Sequence, residues 1–136
     1  MAENALIPII KSNLDPYVKQ ESIQCPMGIG YKKCIFDIED YHFEIFFKVP
    51  DISYQIKMEK ICDDQSKIVV NLTKSKKFGK EIKRIMKKNK LCRKSDFDHC
   101  VSFSLFLKNV LESGHDLSYI EKTYIPDLEF DGIFYN

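Results

Sequence analysis

A chain of 136 residues has room for one domain with one core, and a hydrophobic content of 44% with ten Phe and seven Tyr supplies that core, which excludes a disordered tail. No stretch approaches about 18 uninterrupted apolar residues, which excludes a membrane-spanning helix. The formal net charge of +1 hides a split, because Lys74 to Lys94 carries eleven Lys or Arg against Glu81 alone, while the rest of the chain has ten basic and nineteen acidic side chains.

In chain order, Asn4 to Leu14 places Leu6, Ile9, Ile10 and Leu14 on one helical face, with Asn4 as its cap, Pro8 in the first turn and Pro16 as its stop. Tyr17 to Gly30 has no clean period and reads as a loop with a short strand at Glu21 to Cys25. A two-residue repeat then begins. Cys34, Phe36 and Ile38 alternate with Ile35 and Asp37, and Phe43, Ile45, Phe47 and Val49 alternate with His42, Glu44 and Lys48, with Glu39-Asp40 as the tight turn between them. Pro50 to Ser53 is a second turn, before Tyr54, Ile56 and Met58. Asp63 to Ser66 is a third, before Ile68, Val70 and Leu72. Phe46, Ile61 and Val69 point to the other face.

From Phe78 the period lengthens. Phe78, Ile82, Ile85 and Met86 form a narrow apolar stripe on a helix otherwise covered by Lys80, Lys83, Arg84, Lys87 and Lys88. Ser95 and Asp98 mark a new helix start, and Phe97 to Leu111 is apolar nearly all round, so this helix is central and buried, with Gly114 as its C-terminal cap. The segment His115 to Asn136 is too apolar for a solvated tail. The expected fold is α+β: an N-terminal helix, a four-stranded antiparallel meander, two C-terminal helices packed on one sheet face, and an aromatic C-terminal extension. One domain spans residues 1–136, with its core at about 4–114 and the extension at 115–136.

The order helix, four-strand meander, two helices resembles the RWD domain and its relative, the ubiquitin-conjugating fold, over roughly Asn4 to Gly114. The run Phe103-Ser104-Leu105-Phe106-Leu107-Lys108-Asn109-Val110 is similar in character to the last helix of the RWD-like heads of kinetochore subunits. No Tyr-Pro with spaced prolines occurs between Lys67 and Phe78, and the tail after Gly114 has no counterpart in that family. Conjugating enzymes carry His-Pro-Asn shortly before a nucleophilic Cys. That tripeptide is absent here, so the resemblance implies a non-catalytic member used for protein contact.

The residues themselves offer little chemistry. His42, His99 and His115 join no nucleophile and base pattern, Asp63-Asp64 lies in a turn, and Gly28-Ile29-Gly30 lacks the context of a nucleotide loop. Cys92, His99 and Cys100 match no zinc module and read as a core Cys beside a surface His; Cys25 and Cys34 read as ordinary thiols. No catalytic, cofactor-binding or metal residue is assigned, and the chain is not expected to be an enzyme. Five cysteines without a framework spacing, and a beginning unlike a secretory leader, suit a reducing compartment, cytosol or nucleus.

Two contact surfaces remain. Lys80, Lys83, Arg84, Lys87, Lys88 and Arg93 are candidates for anion or nucleic-acid contact, with acidic proteins, membrane surfaces and the acidic remainder of the chain also open as counterparts. Tyr119, Tyr124, Leu128, Phe130, Phe134 and Tyr135 are candidates for partner contact. The expected function is a non-catalytic protein–protein interaction module, a subunit or adaptor of a larger intracellular complex. The alternatives are a nucleic-acid-contacting protein using residues 74–94, or a small inhibitor that blocks a charged site on its target.

Overall fold

Alternation of apolar and polar side chains folds Tyr31–Ile38 (β2), Tyr41–Lys48 (β3), Ser53–Ile61 (β4) and Lys67–Asn71 (β5) into an antiparallel meander with one buried face. These elements come from a computed structural model that describes residues 2–48, 53–61, 67–125 and 134–135. Cross-strand pairs carry the apolar face across the sheet: Cys34 opposite Ile45 and Ile45 opposite Ile56 in one rung, Phe36, Phe43, Met58 and Val70 in the next. Glu39, at φ 55°, makes the β2–β3 turn in the left-handed region. The turns at Pro50 and at Asp63 to Ser66 lie outside the described residues.

Two further strands extend the expected four. Met27–Gly28 (β1) pairs with β2, and Phe134–Tyr135 (β6) pairs with β5, giving the order β1-β2-β3-β4-β5-β6. The short strand expected at Glu21 to Cys25 is instead a 3-10 turn at Gln20–Ser22 followed by a single bridge between Gln24 and Ile35. Leu72 belongs not to β5 but to a 3-10 turn, Leu72–Lys74, capped by the Asn71 side chain. The outer face keeps Lys33, His42, Glu44, Phe46, Lys57 and Val69 half-buried or solvated.

The N-terminal helix, Ala2–Leu14 (α1), begins earlier than the Asn4 cap implied and buries Leu6, Ile10 and Leu14. It packs on Asp96–Glu112 (α3), where Asn13 Nδ2 donates a 2.9 Å hydrogen bond to Ser104 Oγ. α3 is the central helix: Phe103 reaches Phe36 and Phe43 on the sheet at ring distances of 6.3 and 5.6 Å. Its buried Ser102 and Ser104 hydroxyls donate to the carbonyls of His99 and Val101, which removes the cost of an unpaired polar group. Lys76–Lys88 (α2) packs beside α3. A third C-terminal helix, Ser118–Tyr124 (α4), corrects the expected pair, and its Ile120 and Tyr124, with Leu117 before it, belong to the core. The packed body therefore runs past Gly114 to at least Ile125.

Candidate functional site

α2 sorts its residues by period. Ser75 Oγ accepts the Phe78 N–H at 3.2 Å and fixes the start of the helix, so Phe78, Ile82, Ile85 and Met86 turn into the core. The same geometry leaves Lys76, Lys77, Lys80, Lys83, Arg84, Lys87 and Lys88 exposed along one surface, continued by Lys90, Arg93 and Lys94 in the loop that follows. Lys90, at φ 56°, turns that loop in the left-handed region. Arg84 forks onto Glu81 through Nε (3.0 Å) and Nη2 (2.6 Å). That pair absorbs the only acidic charge of the segment and leaves the surface strongly cationic.

Gly114 decides what faces this surface. α3 ends in a Schellman arrangement in which Gly114, at φ +87°, donates to the Leu111 carbonyl at 3.2 Å and His115 donates to that of Val110 at 3.3 Å. The chain then reverses into α4, whose Tyr124 ring packs edge-on against Phe106 (5.3 Å) and Phe78 (6.1 Å). Burial, with Glu81 nearby, pushes the Tyr124 hydroxyl up to about 12. Tyr119, half-buried, stacks on His115 with ring centroids 3.9 Å apart.

Between α2, α3 and α4 this reversal opens a groove of about 390 Å³ lined by Glu81, Arg84, Lys88, Asn109, Ser113, His115, Tyr119 and Tyr124, with Phe106 and Val110 beneath. Two cations, one of them paired with the Glu81 carboxylate, an imidazole, an amide, a serine hydroxyl and two tyrosines thus share one concave site. The combination suits an anionic group carried on a segment with some apolar surface.

The sequence-predicted residues distribute as follows. Lys80, Lys83, Arg84, Lys87, Lys88 and Arg93 are all exposed, and Arg84 and Lys88 meet Tyr119 and Tyr124 in the groove, which joins two surfaces read separately from the sequence. Tyr124 is only 9% exposed and is a core residue of this fold. Leu128 and Phe130 lie outside the described residues, and Phe134 and Tyr135 form β6 against β5. Asn109, Ser113 and His115 also line the groove, and no local pattern in the sequence marks them as site residues.

His42 and His99 stand apart from this groove. His42 Nδ1 lies 2.5 Å from Asp37 Oδ1 on the outer sheet face. His99 is not the surface residue that its sequence neighbours suggested: it is buried, its ring 4.1 Å from that of Tyr54, with Nε2 bonded to the Arg93 carbonyl at 2.8 Å. Cys92 is exposed while Cys100 is buried. Among the described residues no group of three or more His, Cys, Asp or Glu is arranged to hold a metal ion, and no helix is long and apolar enough to cross a membrane. Comparison of the chain with protein-family models, with curated proteins and with solved structures gave no match.

Proposed function

We propose that the protein is a non-catalytic interaction module that docks an acidic segment of a partner protein in the groove between α2, α3 and α4. The observation that carries this reading is the meeting of Arg84 and Lys88 with His115 and Tyr119 in one concave site, continuous with the exposed lysines of α2. An acidic side chain would be held by Lys88 and by Arg84 in exchange for its fork to Glu81, while apolar surface on the same segment lies against Tyr119. Electrostatics of this kind set encounter rate and specificity, and the aromatic edge supplies contact area. The element order, helix then meander then helices, is what the resemblance to the RWD domain rests on; that resemblance implies a fold used for protein contact, and we read a subunit or adaptor role from it.

Nucleic acid is the second reading, favoured by the length of the lysine surface from Lys76 to Lys94. It uses the convex side of α2 more than the groove, and its contacts would be to phosphates alike in any sequence.

Affinity capture of the full chain from its own cells in gentle salt, followed by intact-complex mass measurement with and without nuclease, separates the two. A defined protein partner that survives nuclease and is lost from the Arg84→Glu/Lys88→Glu variant supports groove docking. A partner retained by that variant overturns it, and mass that vanishes with nuclease transfers the function to the lysine surface.

A further inference from the structure

Cys25 and Cys34 face each other across the antiparallel pairing of β1 and its approach with β2. Gln24 and Ile35 exchange both backbone hydrogen bonds (2.9 and 2.8 Å), Lys33 donates to the Pro26 carbonyl (2.9 Å), and Met27 and Gly28 continue the same register opposite Lys32 and Tyr31. That register leaves Cys25 and Cys34 as the intervening non-hydrogen-bonded pair. Such pairs hold their Cα atoms about 4.5 Å apart with both side chains on one side of the sheet. A disulfide requires a Cα separation of about 4.4–6.8 Å, so the pair can be bridged without moving the strands.

The surroundings add a route and a third thiol. Cys25, Cys34 and Cys100 together line an apolar cleft of about 110 Å³ beside Leu6, Phe47 and Phe97. Lys32 and Asp96 form a 3.2 Å ion pair among its lining residues. Cys34 and Cys100 are buried, whereas Cys25 is partly exposed, so a reagent entering from solvent meets Cys25 first.

We infer that Cys25 and Cys34 form a reversible dithiol–disulfide site that reacts with a low-molecular-weight disulfide such as glutathione disulfide. The Cys25 thiolate attacks one sulfur of the small disulfide; that S–S bond breaks, and the departing thiolate takes up the proton that Cys25 released. Cys34 then attacks the Cys25 sulfur in the mixed disulfide, expelling the second small thiol, which takes the Cys34 proton. Two protein thiols are oxidised and one small disulfide is reduced to two thiols. Hydrogen bonding to Cys100, opposed in part by that to Cys25, together with burial, holds the Cys34 thiol well above the usual range. That shift makes Cys34 unsuited to first attack, and its part as the resolving thiol rests on its place directly opposite Cys25. The new bond would pin the base of the hairpin that carries the exposed Met27 and Ile29.

The test uses the full chain under native conditions in glutathione buffers of graded disulfide-to-thiol ratio, followed by acid quenching, alkylation and peptide mapping after cleavage at Lys32 and Lys33. The expected result is loss of two hydrogen atoms from the intact mass, a linked peptide pair joining Cys25 to Cys34, and full reversal by excess reduced glutathione. In Cys25→Ser the loss disappears and Cys34 remains alkylatable after denaturation. A glutathione adduct that persists on Cys25 without linkage, a bridge from Cys34 to Cys100, a bridge through Cys62 or Cys92, or reaction only in denaturant would each overturn the inference. The mapping on the unmodified chain decides the matter even if Cys25→Ser folds poorly.

Discussion

The Tyr41 hydroxyl of β3 donates a 3.0 Å hydrogen bond to Glu121 of α4, fastening the last described helix to the far end of the meander. α4 has seven residues and no side-chain N-cap, so little in its own sequence would hold it helical alone. Its place depends on Ile120 and Tyr124 in the core and on this bond. Tyr41→Phe is expected to lower stability by about 1 kcal/mol. Urea denaturation measures the loss, and a double-mutant cycle with Glu121→Ala should give a coupling of similar size; strictly additive effects would mean that the bond contributes nothing in solution.

Acid sensitivity is expected from His99. Desolvation outweighs the favourable contacts of its charged form, so its folded pKa lies below the ordinary value of 6.5. With Nε2 on the Arg93 carbonyl, buried Nδ1 has no hydrogen-bond partner among the described residues, which disfavours the charged ring because that form would leave a buried N–H unpaired. Between the lowered folded pKa and 6.5 the unfolded chain binds a proton that the folded chain does not. Stability therefore falls as pH drops through 6.5 and levels off below the folded pKa. The urea midpoint should decline across that window, and His99→Phe, which keeps a ring beside Tyr54, should flatten the slope. An unchanged slope in the variant would mean that His99 is not the source of the effect.

Helix caps give a graded pair of substitutions. Ser75 is 1% exposed and its hydroxyl accepts the Phe78 N–H at the start of α2, while Ser95 caps α3 through the Asp98 N–H at 3.2 Å in a more open position. Ser95→Ala should cost about 1 kcal/mol, and Ser75→Ala up to about 2 kcal/mol because the donor it abandons is buried. Thermal unfolding of the two variants would rank them, and a reversed order would mean that burial at Ser75 does not strengthen its cap.

What the sequence made legible follows from how local each feature is. The alternation at Cys34 to Lys48 is readable because the sheet buries one face only, and Ser95 and Gly114 are readable because caps are written within a few residues. His99 is buried where its sequence neighbours suggest a surface residue, because α3 is covered on most sides and neighbours that diverge on the helix are both enclosed. The pairing of Cys25 with Cys34 needs the register of β1 against β2, and the approach of Cys100 needs the docking of α3; neither is written in spacing. The groove is the clearest case. Arg84 and Lys88 belong to one periodic pattern and Tyr119 to another, and only the reversal at Gly114 brings them together.

That reversal also determines how the proposed function should be tested by mutation. Removing the chain after Leu117 deletes Ile120, which is fully buried, and Tyr124, so loss of binding in a truncated protein would report unfolding as readily as loss of a contact. Ile120→Ala alone is expected to cost about 2–5 kcal/mol. Arg84→Glu breaks the fork to Glu81 and places two like charges three residues apart on an exposed helix face, a stability cost of only about 0.5–1 kcal/mol. Urea unfolding of both variants beside partner binding separates the roles. Arg84→Glu should stay folded and lose binding, with the residual affinity less sensitive to salt than that of the unmodified chain. Binding that survives in Arg84→Glu but falls in step with stability in Ile120→Ala would place the contact elsewhere on the fold.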